Sequence, residues 1–219
     1  MTLIDSDEHA LELLLPLKKA FVRFGRMDLF LLHQNVNERS LTHRFAAHMQ
    51  ESFTVDFDID CEYNRMGNVG DSKSLRRFDL VWAAVSDAIN KELNLIPFDE
   101  KLFTKLVSDS GLTVYPDIIV HKRGDNSRNF LVIEAKKMHR PSATDSLKLT
   151  LFTTELEYRY GVFLGFGNGM TPASLQVWKN GACCASYEFD WKTERFYPDS
   201  HLDVMFGNSV DSGPNRFGD

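Results

Sequence analysis

Four side chains stand where two strands and a helix can bring them together: Glu38, Asp117, Glu134 and Lys136. Strand side chains alternate faces, so Asp117, Ile119 and His121 share one face of an apolar run over 112–121. Phe130, Val132, Glu134 and Lys136 share one face of a second run over 130–136. Pairing the runs as a hairpin with His121 opposite Phe130 sets Ile119 against Val132 and Asp117 against Glu134. Two carboxylates about 4 Å apart repel by roughly 4 kcal/mol at an effective dielectric near 20, so one keeps a proton or a positive group lies between them. Lys136 points to the same side. Glu38, three residues before Leu41 and seven before Phe45, lies on the apolar stripe of a helix and can join them. Three acids against one ammonium leave an excess of negative charge that a divalent cation balances. Singly, each residue has a plainer explanation: Asp117 as a strand-start residue after Pro116, Glu134 and Lys136 at a solvent-facing edge, Glu38 as an acid favoured by a helix dipole. What speaks against four separate explanations is that one register and one stripe converge.

Several elements must hold these residues. Helical spacing over 6–24 (Leu11, Leu14, Leu15, Ala20, Phe21, Phe24) predicts a first helix, capped by Asp5 or Ser6, kinked at Pro16 and ended by Gly25. Asn37 is the expected N-cap of a second, with Leu41, Phe45, Met49 and Phe53 in one stripe. The stretch "VDFDIDCEY" alternates strictly, which predicts a half-buried strand with a solvated acidic face. A loop over 66–74, helices near 78–92 and 99–108, the two strands above, a helix over about 145–160 and a buried strand at 161–166 follow. Asn180-Gly181 marks a hairpin turn, and the chain beyond Trp191 reads as polar and disordered. The order permits a parallel βαβ crossover between strands 130–136 and 161–166 and describes an α/β layer, a mixed β-sheet flanked by helices.

"PD" at Pro116-Asp117, then "EAK" at Glu134–Lys136, each preceded by an apolar strand and both by a helical Glu38, resembles the signature of the PD-(D/E)XK nuclease superfamily. "DCEYNR" and "YPDIIVHKRG" also resemble uncharacterised bacterial members. The resemblance spans about residues 37–166. It implies a restriction-endonuclease-like three-layer core over 37–191, with a helical segment at 1–36 and a tail at 192–219. It further implies hydrolysis of phosphodiester bonds, expected to be those of DNA and cut internally, with Mg²⁺ or Mn²⁺ as cofactor. Asp117 and Glu134 would ligate the metal, with the Ala135 carbonyl as a further oxygen ligand. Glu38 would hold a water of the ion's shell or a second ion, and Lys136 would orient the attacking water. Lys122, Arg123, Lys137 and Arg140 would meet backbone phosphates, and Lys148 is the candidate basic residue from the following helix. The runner-up is a catalytically silent module of the same fold that binds nucleic acid or a protein partner. An unrelated α/β protein with an accidental motif stands third.

Composition sets the limits. The 219-residue chain is 43% hydrophobic and 26% charged, as in ordinary globular proteins. Its net charge of -6 argues against a surface basic all over, yet His121–Arg140 concentrates six Lys or Arg against two acids. The amino terminus lacks a secretory pattern and no stretch is apolar enough to cross a bilayer, so a cytoplasmic location without membrane contact is expected. Residues 5–35 are a conceivable homodimer interface. Cys61, Cys183 and Cys184 fit neither a disulfide framework nor a zinc spacing and read as small buried side chains. The "GFGNG" turn, Gly165–Gly169, reads as a plain loop, because no helix follows it to receive phosphate.

Overall fold

A computed structural model describes residues 10–53, 56–66, 71–72, 74–75 and 112–199. The expected helices near 78–92 and 99–108, the start of the first helix before residue 10, and the tail from 200 onward lie outside the described residues.

The first helix is not continuous. A π-turn at Ala10–Leu14 precedes α1 (Leu15–Met27), with Pro16 in the first turn of the α-helix, where a missing N–H costs nothing. The π-turn takes an extra residue and rotates the apolar stripe. Leu13, Leu14, Leu17, Ala20, Phe21 and Phe24 are therefore buried, while Leu15 is 46% exposed. Gly25 does not end α1. It lies inside, against the Trp191 ring, and the chain turns at Asp28 into a short α2 (Leu29–His33). Asn37 caps α3 (Glu38–Gln50), its side chain accepting from Ser40 N at 2.8 Å, which satisfies one of the unpaired amides of the first turn.

Among the described residues eleven strands follow: β1 (Asp58–Cys61), β2 (Arg65–Met66), β3 (Asp71–Ser72), β4 (Ser74–Leu75), β5 (Leu112–Thr113), β6 (Ile118–His121), β7 (Leu131–Lys136), β8 (Tyr160–Gly165), β9 (Ala173–Lys179), β10 (Ala182–Asp190) and β11 (Arg195–Pro198). A helix, α4 (Ala143–Thr154), separates β7 from β8. Seven strands form one mixed sheet in the order β1-β6-β7-β8-β9-β10-β11, and β2–β3 and β4–β5 are small separate ladders. The β7–β8 pair is parallel and the others antiparallel, so β7–α4–β8 is the βαβ crossover expected from the sequence. The strand expected over 112–121 is interrupted at 114–117, where Pro116 cannot donate to a ladder. Asn180 and Gly181 both have positive φ, 51° and 83°, the geometry of a tight primed hairpin turn.

The sheet is covered on both faces. Ile118, Val120, Leu131, Ile133, Val162 and Leu164 pack toward α1 and α3, whereas Ile119, Val132 and Phe163 pack toward Leu147, Leu149 and Phe152 of α4. An aromatic cluster fills the first layer, with Phe21 against Phe45, Phe189 and Phe196 at centroid distances of 4.8, 4.8 and 5.5 Å. The architecture is thus α/β, a mixed sheet between helical layers.

Other expectations are corrected. The 1–36 segment does not stand apart from 37–191, because α1 belongs to the same core as α3 and the sheet; its main apolar stripe is spent on that core, while Leu15, Met27 and Phe30 stay exposed. The expected tail begins too early: β11 extends the sheet past 191, and Phe196 is buried among the aromatics, one apolar side chain in a polar stretch being enough to seal an edge. Phe130 faces the α1–α3 layer with Phe57 and Tyr160, not the side of Val132, because it precedes the regular strand. Cys184 is exposed, and Cys61 and Cys183 are half-buried.

Candidate functional site

The register read from the sequence is the one observed: Ile119 pairs with Val132, flanked by Ile118 with Ile133 and Val120 with Leu131. The ladder stops at Ile118 and Ile133; continued one step, its register would set Asp117 opposite Glu134. Asp117 sits in the bend before β6 and its Oδ2 accepts from Ala135 N at 2.8 Å. The carboxylate thereby takes the ladder position that the broken strand leaves vacant. Lys136 Nζ is 4.0 Å from the same oxygen.

Glu134 is 1% exposed, an unusual position for an acid. Its Oε2 accepts from Lys148 Nζ at 3.2 Å, while its Oε1 is buried without a hydrogen-bond partner among the described residues. Lys148 therefore reaches Glu134 from α4, as a salt-bridging lysine. Glu38 arrives from the opposite layer: its Oε1 accepts from Lys137 N at 3.0 Å, fastening the start of α3 to the end of β7. Glu38, Asp117 and Ala135 line a cleft of about 190 Å³ with His43 and Glu62, and Glu134 and Lys136 stand on the α4 side of the same strand end.

Acids outnumber ammonium groups here, and protonation reflects it. Burial raises the Glu134 carboxyl to about 7, with Asp117 and Asp145 adding to the rise and Lys148 and Lys136 opposing it. Burial also raises Asp117, against the Ala135 amide and the two lysines, with Glu38 adding to the rise. Burial acts to lower the Lys136 ammonium, but Asp117, Asp145, Glu134 and Glu38 together raise it, so it stays charged at neutral pH.

Asp145 is the member that sequence reasoning missed. It is buried and closes a capping box with Ser142, accepting from Ser142 Oγ at 2.7 Å and Ser142 N at 3.0 Å. The Ser-x-x-Asp spacing was the available signal. The box fixes the start of α4, and with it the position of Lys148 one turn later.

The basic residues are placed unevenly. Arg123 is exposed but committed: its guanidinium grips Asp60, with Nε 2.9 Å from Oδ2, and its backbone N donates to Asp58 at 3.0 Å. Lys122 lies 3.8 Å from Asp58, and the buried His121 is 2.9 Å from Asp60. The acidic face of β1, expected to be solvated, is instead paired with these bases across the β1–β6 ladder, where Asp58 opposes His121. Lys137 Nζ is held by Asn35, 2.8 Å from Oδ1 and 3.1 Å from the carbonyl. Arg140 is exposed. Of the two histidines on α3, His43 lines the small cleft, and His48 is buried 2.6 Å from Asp28.

Compared with family models, with curated proteins and with solved structures, the chain has no match. No described helix is long and apolar enough to cross a membrane.

Proposed function

We propose that the chain is a metal-dependent nuclease of restriction-endonuclease-like fold that hydrolyses phosphodiester bonds of DNA internally, in the cytoplasm. The observation that carries this reading is Glu134: a fully buried carboxylate with one oxygen paired to Lys148 and the other without a donor among the described residues. A buried polar atom left unpaired is costly, and a hard cation is a partner that would satisfy it. Among the described residues no three His, Cys, Asp or Glu side chains are grouped closely enough to enclose an ion. A pair of carboxylates with waters and substrate phosphate suits Mg²⁺ or Mn²⁺, which are rarely caged by protein alone.

Asp117 and Glu134 would hold the ion, with the Ala135 carbonyl as a third oxygen and Glu38 placed to hold a water of its shell. When bound, the ion supplies Lewis-acid stabilisation of charge on the phosphoryl oxygens. Lys136, kept protonated by its acidic neighbours, donates to the attacking water and to the phosphate. Lys148 offsets part of the charge on Glu134, and Asp145 holds Lys148 in place through the α4 cap. Glu38 also anchors the Lys137 backbone, which keeps the end of β7 still.

A second reading, a silent module of this fold, is favoured by Arg123 and Lys122 being tied to Asp58 and Asp60 rather than free for phosphate. Incubation with single- and double-stranded DNA and RNA, with and without Mn²⁺, separates the two. Metal-dependent product that disappears in Glu134→Ala and Lys136→Ala supports the nuclease. No metal-dependent product on any substrate, or equal product from the variants, overturns it.

A further inference from the structure

The turn over 167–171, after β8, forms one wall of a second cleft of about 870 Å³, through Gly167, Asn168, Met170 and Thr171. Opposite it stand His33 at the end of α2, Asn35 of the α2–α3 connection, and Lys137 and His139 after β7, with buried Leu32 and Leu41. The two clefts share no lining residue, but the start of α3 and the end of β7 contribute to both. Lys137 follows Lys136 and is the residue whose amide Glu38 holds, and Leu41 lies one turn after Glu38.

Glycine is required in this wall. A Cβ at Gly169 would come within 2.9 Å of the His33 ring, and one at Gly167 within 2.8 Å of Thr171 Oγ1 and 3.0 Å of the His139 ring. Both have positive φ, 81° and 66°. The bare backbone therefore lets two imidazoles close on the cleft, with Met170, 77% exposed, at its lip. In a chain of net charge -6, no described residue lining this cleft is acidic, while Lys137 lies within it. An anion is admitted here and repelled from the neighbouring carboxylates unless a cation is bound there.

We propose that this cleft takes one unstacked nucleotide of a single strand, next to the phosphodiester held at the carboxylates. The position of that phosphodiester rests on the nuclease reading; the binding itself does not. The size suits one small ligand. A base inside a duplex reaches such a pocket only by leaving its stack, so the substrate class is single-stranded or locally opened nucleic acid. The imidazoles and the thioether offer flat, polarisable contacts to a base, the leucines exclude water beneath it, and the Lys137 ammonium, 2.8 Å from Asn35 Oδ1, stands at hand for a phosphate.

Fluorescence anisotropy of the full chain, without metal, tests this with a labelled oligothymidylate and a blunt duplex of equal length. The single strand is expected to bind roughly tenfold more tightly than the duplex. His33→Ala combined with Met170→Ala, both at exposed positions, is expected to cost the single strand on the order of tenfold without moving the thermal midpoint or the duplex affinity. Equal affinity for strand and duplex, or an unchanged strand affinity in the double variant, overturns the proposal. Strand binding that the double variant loses, in a protein that cleaves nothing with Mn²⁺, supports the cleft while removing the nuclease reading. Cleavage that persists with no loss of strand binding does the reverse.

Discussion

Lys148, in the second turn of α4, sets its ammonium 3.2 Å from Oε2 of Glu134, in the central strand of the three that form the β6–β7–β8 part of the sheet. A single cation serves one oxygen of a carboxylate whose other oxygen has no donor among the described residues, and burial, only partly offset by that cation, lets the carboxyl hold its proton up to about 7 instead of the usual 4.5. The folded protein then binds more protons than the unfolded chain between those values, so this group's contribution to stability falls as pH rises from about 4.5 through about 7. Glu134→Gln removes the penalty of ionisation. Thermal melts of the metal-free protein should show the variant about 3–6 °C above the parent near pH 8 and level with it near pH 4.5. A variant melting below the parent at pH 8 would contradict this account of the site.

A cation that binds Glu134 must displace that proton. Calorimetric titration of Mg²⁺ or Mn²⁺ near pH 6 in buffers of differing ionisation enthalpy should report release of up to about one proton per ion, with affinity weakening as pH falls below about 7. Glu134→Gln should bind at least roughly tenfold more weakly and release no proton. Identical heats in both buffers would place the ion elsewhere.

Asp117 has a structural duty as well as a proposed chemical one, and two substitutions separate them. Asp117→Ala orphans the Ala135 amide and should cost about 1–3 kcal/mol in denaturant unfolding. Asp117→Asn keeps an acceptor at that place and should stay within about 1 kcal/mol of the parent, yet lose cleavage by about a hundredfold or more. Full activity in a stable Asp117→Asn protein would remove this carboxylate from the chemistry.

The guanidinium of Arg123 is committed to Asp60, whereas Arg140 is exposed and carries no hydrogen bond or ion pair among the described residues. Arg140→Ala should make the plot of log affinity for DNA against log salt shallower by about 0.7–0.9. Arg123→Ala should leave that slope alone and instead cost up to about 1 kcal/mol of stability. The opposite assignment would show the β1–β6 ion pairs opening in the complex.

What was legible in the sequence was local or set by strict alternation. The Asn37 cap, the Asn180-Gly181 turn and the Ile119–Val132 register each follow from a few neighbouring residues or from the two-residue period of one hairpin. What escaped depended on partners distant in the chain. Alternation places Asp58 and Asp60 on one face of β1, but that Arg123 and His121 would meet them is decided by β1 pairing with β6 rather than with another strand. Asp145 looked like a helix-start residue, and it is one; its field on Glu134 comes from where α4 lies on the sheet. Phe196, one aromatic in a polar stretch, carried no period at all, and only the cluster of Phe21, Phe189 and Tyr187 around it explains β11.

The bond from the Ala135 amide to the Asp117 carboxylate gives the pocket a built-in observer. That proton is the one ladder donor on β7 answered by a side chain from the neighbouring bend, so its exchange with deuterated solvent is tied to whether the acid stays seated. A nuclear magnetic resonance signal from one backbone nitrogen can thus follow the readiness of the site, with no substrate present and no chemistry under way.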